Sequence, residues 1–99
     1  MRERDPAWDA LVRATGANGS YTNGRVGAAL KGIRDCAILD EGLTIEELPA
    51  EIERRAGLYR RFRPTWELSP TALASHWCRT LQWEERATAS DEIFDRYWR

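Results

Sequence analysis

The apolar residues of this 99-residue chain recur at intervals of three and four, and no segment alternates at period two for long enough to make a strand. That confines the chain to helices, and the helix starts are written in cap chemistry. Asp5-Pro6 places a side-chain acceptor ahead of a proline at the first helical position, and Trp8, Leu11 and Val12 follow at helical spacing as far as Gly16. Residues 16 to 24 hold three Gly, two Asn, a Ser and a Thr, which is loop chemistry. From Arg25, the residues Val26, Leu30, Ile33 and Ala37 define a second helix, widened by Ala29 and Cys36, with Gly42 in the place of a left-handed C-cap.

Thr44 and Glu47 have capping-box spacing, flanked by Leu43 and Leu48 as a hydrophobic staple, so a third helix is predicted from Thr44. Pro49 would interrupt it, giving one turn over 44 to 48 and a kink or restart there. Ile52, Ala56 and Tyr59 continue the apolar stripe, and Arg63 before Pro64 ends it near Phe62. Ser69-Pro70 repeats the cap-then-proline start, with Leu73, Trp77 and Leu81 as the inner face of a fourth helix. A fifth is predicted from Ser90 to Trp98, with Asp91 and Glu92 at its positive end. The prediction is therefore an all-α, compact single-domain bundle of about five short helices spanning 1 to 99, its core at about 6 to 83. Ten aromatics and a net charge of -1 give such a chain enough apolar surface to fold.

Near-neutrality hides a strong polarity. Residues 35 to 53 carry -7 and residues 54 to 63 carry +5, and fourteen of the fifteen basic residues are Arg. Acid-then-base order along the third helix complements its dipole, and Glu51 has Arg54 and Arg55 at i+3 and i+4. On a helical projection Arg54, Arg60 and Arg61 point away from the apolar stripe, while Arg55 packs its stem nearer to it. Arg54, Arg60, Arg61 and Arg63, with Arg25 and Lys31 in support, are thus the candidate phosphate-binding residues. The aromatics divide in the same way. Trp8, Tyr59 and Trp77 fall on apolar faces and belong to the core, whereas Trp66, Trp83, Phe94, Tyr97 and Trp98 are the candidate partner-binding anchors. The segment 93 to 99 reads as an amphipathic docking helix that packs on its own domain, on a partner, or on a second copy.

Catalytic groups are few. His76 is the only histidine, and its spacing from Cys78 puts the two on different helix faces, so no triad, zinc site or other metal site is predicted. His76 reads as a surface or capping residue. Glu46-Glu47 and Glu84-Glu85 diverge on a helix, and the loop at 16 to 24 lacks the phosphate-cradling glycine patterns. No enzyme activity and no cofactor is expected. Cys36 and Cys78 read as two small buried hydrophobes in a reducing, cytoplasmic compartment, a disulfide being the alternative. No leader and no apolar run of about 18 residues is present, so no membrane association is expected.

Gly42-Leu43-Thr44-Ile45-Glu46-Glu47-Leu48, then Ile52 to Arg61, then Leu68 to Trp77 resembles the small helical C-terminal module of phage helix-turn-helix and replication-associated proteins. There a "TPEEI..RA..Y" helix precedes a "TP.AL..hW" helix. The similarity spans roughly residues 6 to 81, with no winged-helix reader ahead of it in this sequence. A fainter similarity is to the DnaD-like replication domain, where Leu73 and Trp77 match and Ser69 occupies the aromatic position. The resemblance implies a non-enzymatic phage-type protein that binds DNA or a replication partner. The alternative is a module that acts on a host protein through its exposed Trp residues and C-terminal aromatic helix.

Overall fold

Asp5 opens α1 (Pro6–Thr15) as expected, its carboxylate accepting from the Ala7 N–H, and Gly16 at φ 68° ends it by returning its own N–H to the Val12 carbonyl. The computed structural model describes residues 5–17 and 23–98, with side chains at 5–17 and 24–87. The next helix, α2 (Asn23–Asp35), starts two residues before Arg25. It continues without a break into a wide π-helical turn, Cys36–Asp40, that the sequence pattern did not signal. There Glu41 donates its N–H to Cys36 O and Leu43 donates to Ala37 O, with Gly42 at φ 73° making the reversal that a side chain would oppose.

The capping box forms as drawn: Glu47 N–H donates to Thr44 Oγ1 (3.2 Å) and Thr44 N–H to Glu47 Oε1 (3.1 Å). It closes a separate turn. The third helix, α3 (Leu48–Phe62), restarts at Leu48 with Pro49 in its first turn, where the missing N–H is harmless, and ends at Arg63. Ser69 caps α4 (Pro70–Ser75) through Ala72 N–H, and there the sequence expectation fails. His76 leaves the helix at φ -110°, ψ 14°, and α5 (Trp77–Trp98) is one uninterrupted helix, with no new start at Ser90. The break rotates the inner face. After it, Trp77, Thr80 and Trp83 point inward at steps of three, and Leu81, predicted to be internal, is 36% exposed.

Five α-helices and no strand among the described residues make an all-α bundle. α1 packs chiefly on α3, α2 on α4, and α5 is held through α3. Their shared core is Leu11, Ile33, Leu48, Ile52, Leu73, Tyr59 and Trp77, all at 2% exposure or less. Each such side chain contributes roughly 1.5–3 kcal/mol relative to leaving it in water. Trp8 is half-buried against this core instead of inside it.

Candidate functional site

The -7 and +5 segments meet inside the molecule. Arg55, 2% exposed, donates from Nε to Glu51 (2.8 Å), from Nη1 to the Trp77 carbonyl (2.9 Å) and from Nη2 to Glu41 (2.7 Å). Its guanidinium also lies 4.3 Å from the centre of the Trp77 ring. Glu41 completes the circuit by accepting from Trp77 Nε1 at 2.7 Å. The π-helical turn brings Glu41 to this position, and the break at His76 leaves the Trp77 carbonyl and indole facing it. Only a planar fork with five donors can serve two carboxylates and a carbonyl at once, so Arg55 is structural.

Arg54, Arg60, Arg61 and Arg63 do not form one free patch. Arg54 is held by Glu51 on its own helix (2.8 Å) and by Glu84 on α5 (2.7 Å). A phosphate would have to displace both carboxylates, which removes Arg54 from the candidate set. Arg60 donates to the Ala14 carbonyl at the end of α1. Arg13 pairs with Glu53, and Arg34 with Asp5, so these arginines too tie one part of the bundle to another.

Arg61 and Arg63 remain, at the C-terminal end of α3. Neither they nor Arg86 on α5 forms an ion pair with a described residue. Arg63 lies 4.4 Å from the Trp83 ring centre and 5.3 Å from that of Trp66, and spends one donor on the Phe62 carbonyl. Beneath it is an aromatic cluster: Trp66 meets Tyr59 at 6.2 Å and Trp83 at 6.1 Å, both edge-on, and the His76 ring at 5.2 Å. Tyr59 anchors the loop by donating to the Glu67 carbonyl, and burial, then the Glu67 charge, raises its pKa. Trp83, read from the sequence as an exposed anchor, is 7% exposed and forms a wall of this cluster, because the break at His76 turned it inward. Trp66, the other aromatic of the pair, is 42% exposed.

Phe62, Arg63, Trp83, Arg86 and Ala87 line a shallow pocket of about 250 Å³ with two guanidinium groups and, among the described residues, no carboxylate. Arg86 escaped the sequence reading because its segment sums to -2; its place three residues after Trp83, on the same helix face, was the available signal. Arg25 lines a different cavity, of about 520 Å³ between α2 and α4 with Ala28, Ala29, Thr71, Ala74 and Ser75, and Lys31 stands exposed on α2. Neither joins the Arg63 pocket. The anchors Phe94, Tyr97 and Trp98 lie outside the residues whose side chains are described.

His76 is the C-cap of α4, with Arg79 in reach at 3.4 Å. Among the described residues no group of His, Cys, Asp and Glu is placed to hold a metal ion, and no helix is long and apolar enough to cross a membrane. Cys36 is half-buried and Cys78 exposed, not the two buried hydrophobes expected, and they touch each other. No protein-family model, curated protein or solved structure matches the chain.

Proposed function

We propose that the chain binds single-stranded nucleic acid at the end of α3, with Arg61, Arg63 and Arg86 meeting phosphates and Trp66 offering its exposed face to a base. The observation that carries this reading is the Phe62, Arg63, Trp83, Arg86 pocket, which joins two guanidinium groups to an aromatic wall with no carboxylate among the described residues of its lining. Sequence-tolerant single-strand binding combines these two elements, a basic track for the backbone and aromatic faces for stacking. Arg63 is already oriented by Trp66 and Trp83 and keeps donors to spare, so little side-chain freedom is lost when a phosphate arrives. The resemblance to phage replication modules implies DNA or a replication partner, without specifying a single strand.

Three phosphate contacts imply a salt slope of about -2, or an affinity loss of roughly twenty-fold between 50 and 200 mM salt. Fluorescence anisotropy of a labelled oligonucleotide measures it. The Arg61→Gln, Arg63→Gln, Arg86→Gln triple variant should flatten that slope. No binding at low salt, or a slope untouched by the triple variant, refutes the proposal. A second reading rests on Leu39 and Ile45, 77% and 68% exposed beside Asp40 and Glu46, which suit a protein partner with an apolar centre and a basic rim. Under it, Leu39→Ser with Ile45→Ser abolishes association with that partner and leaves oligonucleotide binding unchanged.

A further inference from the structure

We infer that Cys36 and Cys78 are a disulfide-forming site, in which the two thiols of one chain are oxidised to a bridge between the end of α2 and the first turn of α5. The two sulfurs are 3.1 Å apart although 42 residues separate them in sequence, and both are free thiols. They are brought together by elements that are themselves fixed. Cys36 opens the π-helical turn that carries Glu41, and Cys78 follows Trp77, so the ties from Glu41 to Arg55 (2.7 Å) and to Trp77 (2.7 Å) hold both ends of the prospective bridge in place. Neither helix has to travel for the sulfurs to meet.

The two cysteines differ in access. Cys78 is exposed and Cys36 half-buried. Burial first, then the hydrogen bond and charge of Cys78, with Glu41 and Asp40 nearby, push the Cys36 thiol up to about 12. Cys36 therefore keeps its proton while Cys78 meets the reagent. The oxidant is a small-molecule disulfide, RSSR. The Cys78 thiolate attacks one sulfur, expels RS⁻ and leaves a mixed disulfide. Cys36 then gives up its proton, attacks the Cys78 sulfur and expels the second RS⁻. Two protein thiols become one disulfide, one RSSR becomes two RSH, and the two protons released are taken up by the leaving thiolates.

Closing so long a loop restricts the unfolded chain, so the bridge should raise the thermal midpoint by roughly 10–25 °C. The test is to incubate the native full-length chain with oxidised glutathione, then to read intact mass, the disulfide-linked peptides and Tm. The expected product has lost two hydrogens, joins the Cys36 and Cys78 peptides, melts higher and reverts with dithiothreitol. Cys36→Ser should stop at a mixed disulfide on Cys78. A wild-type chain that stays reduced, stalls at the mixed disulfide, links to a second chain, or forms the bridge without a rise in Tm overturns the inference. These readouts on the wild-type chain stand even if the serine variant fails to fold.

Discussion

Replacing Arg55 by Met tests the buried hub, because Met keeps the apolar stem and removes every donor. Removing one partner of a buried ion pair costs about 3–5 kcal/mol, through the charge left behind. Here two carboxylates are affected unequally. Glu51 keeps Arg54 at 2.8 Å, whereas Glu41, 17% exposed, keeps only the Trp77 Nε1 donor at 2.7 Å. Its residual contact with water and with Trp77 pulls the cost to the low end, and the lost stacking on Trp77 adds about 0.5–2 kcal/mol. The sum is about 3.5–5 kcal/mol, or a fall in Tm of roughly 14–40 °C for a domain of this size. Urea unfolding, followed in parallel by tryptophan fluorescence and far-UV circular dichroism, gives the number. Adding Glu41→Gln, which removes the stranded charge but still accepts from Trp77, should recover about 1–2 kcal/mol of the loss. An Arg55→Met cost below about 1 kcal/mol, or strict additivity in the double variant, would refute the hub as an energetic unit. Arg55→Lys should recover little, since an ammonium cannot reach both carboxylates and the Trp77 carbonyl.

Trp83→Ala should cost about 3–5 kcal/mol and Trp66→Ala less than about 1 kcal/mol in urea unfolding, because one is enclosed and the other 42% exposed; Trp66→Ala should instead weaken oligonucleotide binding, and the reverse ranking would remove Trp66 as a stacking face. Ser69→Ala should lower stability by about 1 kcal/mol by orphaning the Ala72 N–H, with Ser69→Asp close to neutral; equal losses in both variants would show that the cap is not the cause. Burial alone would raise the Asp5 pKa, but the Arg34 hydrogen bond, the Ala7 N–H and the Arg34 charge together hold it below its ordinary value, and the Thr44 hydroxyl and N–H do the same for Glu47. Both folded values lie below the unfolded ones, so this stabilisation is complete above the ordinary carboxylate range and is lost as pH falls through the folded values. Asp5→Asn should shrink the acid-side loss of Tm, and an unchanged profile in that variant would contradict the assignment.

The local elements were legible because their chemistry is local. Asp5, Ser69, Gly16, Gly42 and the Thr44 and Glu47 pair each act within a few residues, and each does in the bundle what its spacing implies. The break at His76 was not legible. No proline or glycine marks it, and the run Leu73, Trp77, Leu81 reads as one continuous stripe. A helix without the break would keep Leu81 inside; the observed one buries Thr80 and Trp83 and places the Trp77 carbonyl against Arg55. For the same reason the boundary expected at Ser90 does not exist: favourable acidic residues in a helix start cost little in a helix interior.

The arginine cluster shows the division most clearly. Composition and helical periodicity alone place guanidinium groups at the end of α3, put an acidic segment ahead of them, and lean Arg55 toward the apolar side. Which of them are occupied depends on contacts made in the folded bundle: the partners are Glu84 for Arg54, the Ala14 carbonyl for Arg60, and Glu41 for Arg55, which lie 30, 46 and 14 residues away in sequence. Ion pairing falls off within a few ångströms and is blind to sequence separation, so a charge count along the chain cannot tell an occupied cation from an open one. The same holds for Cys36 and Cys78, two isolated thiols in the sequence that share one contact once α2 and α5 are in place.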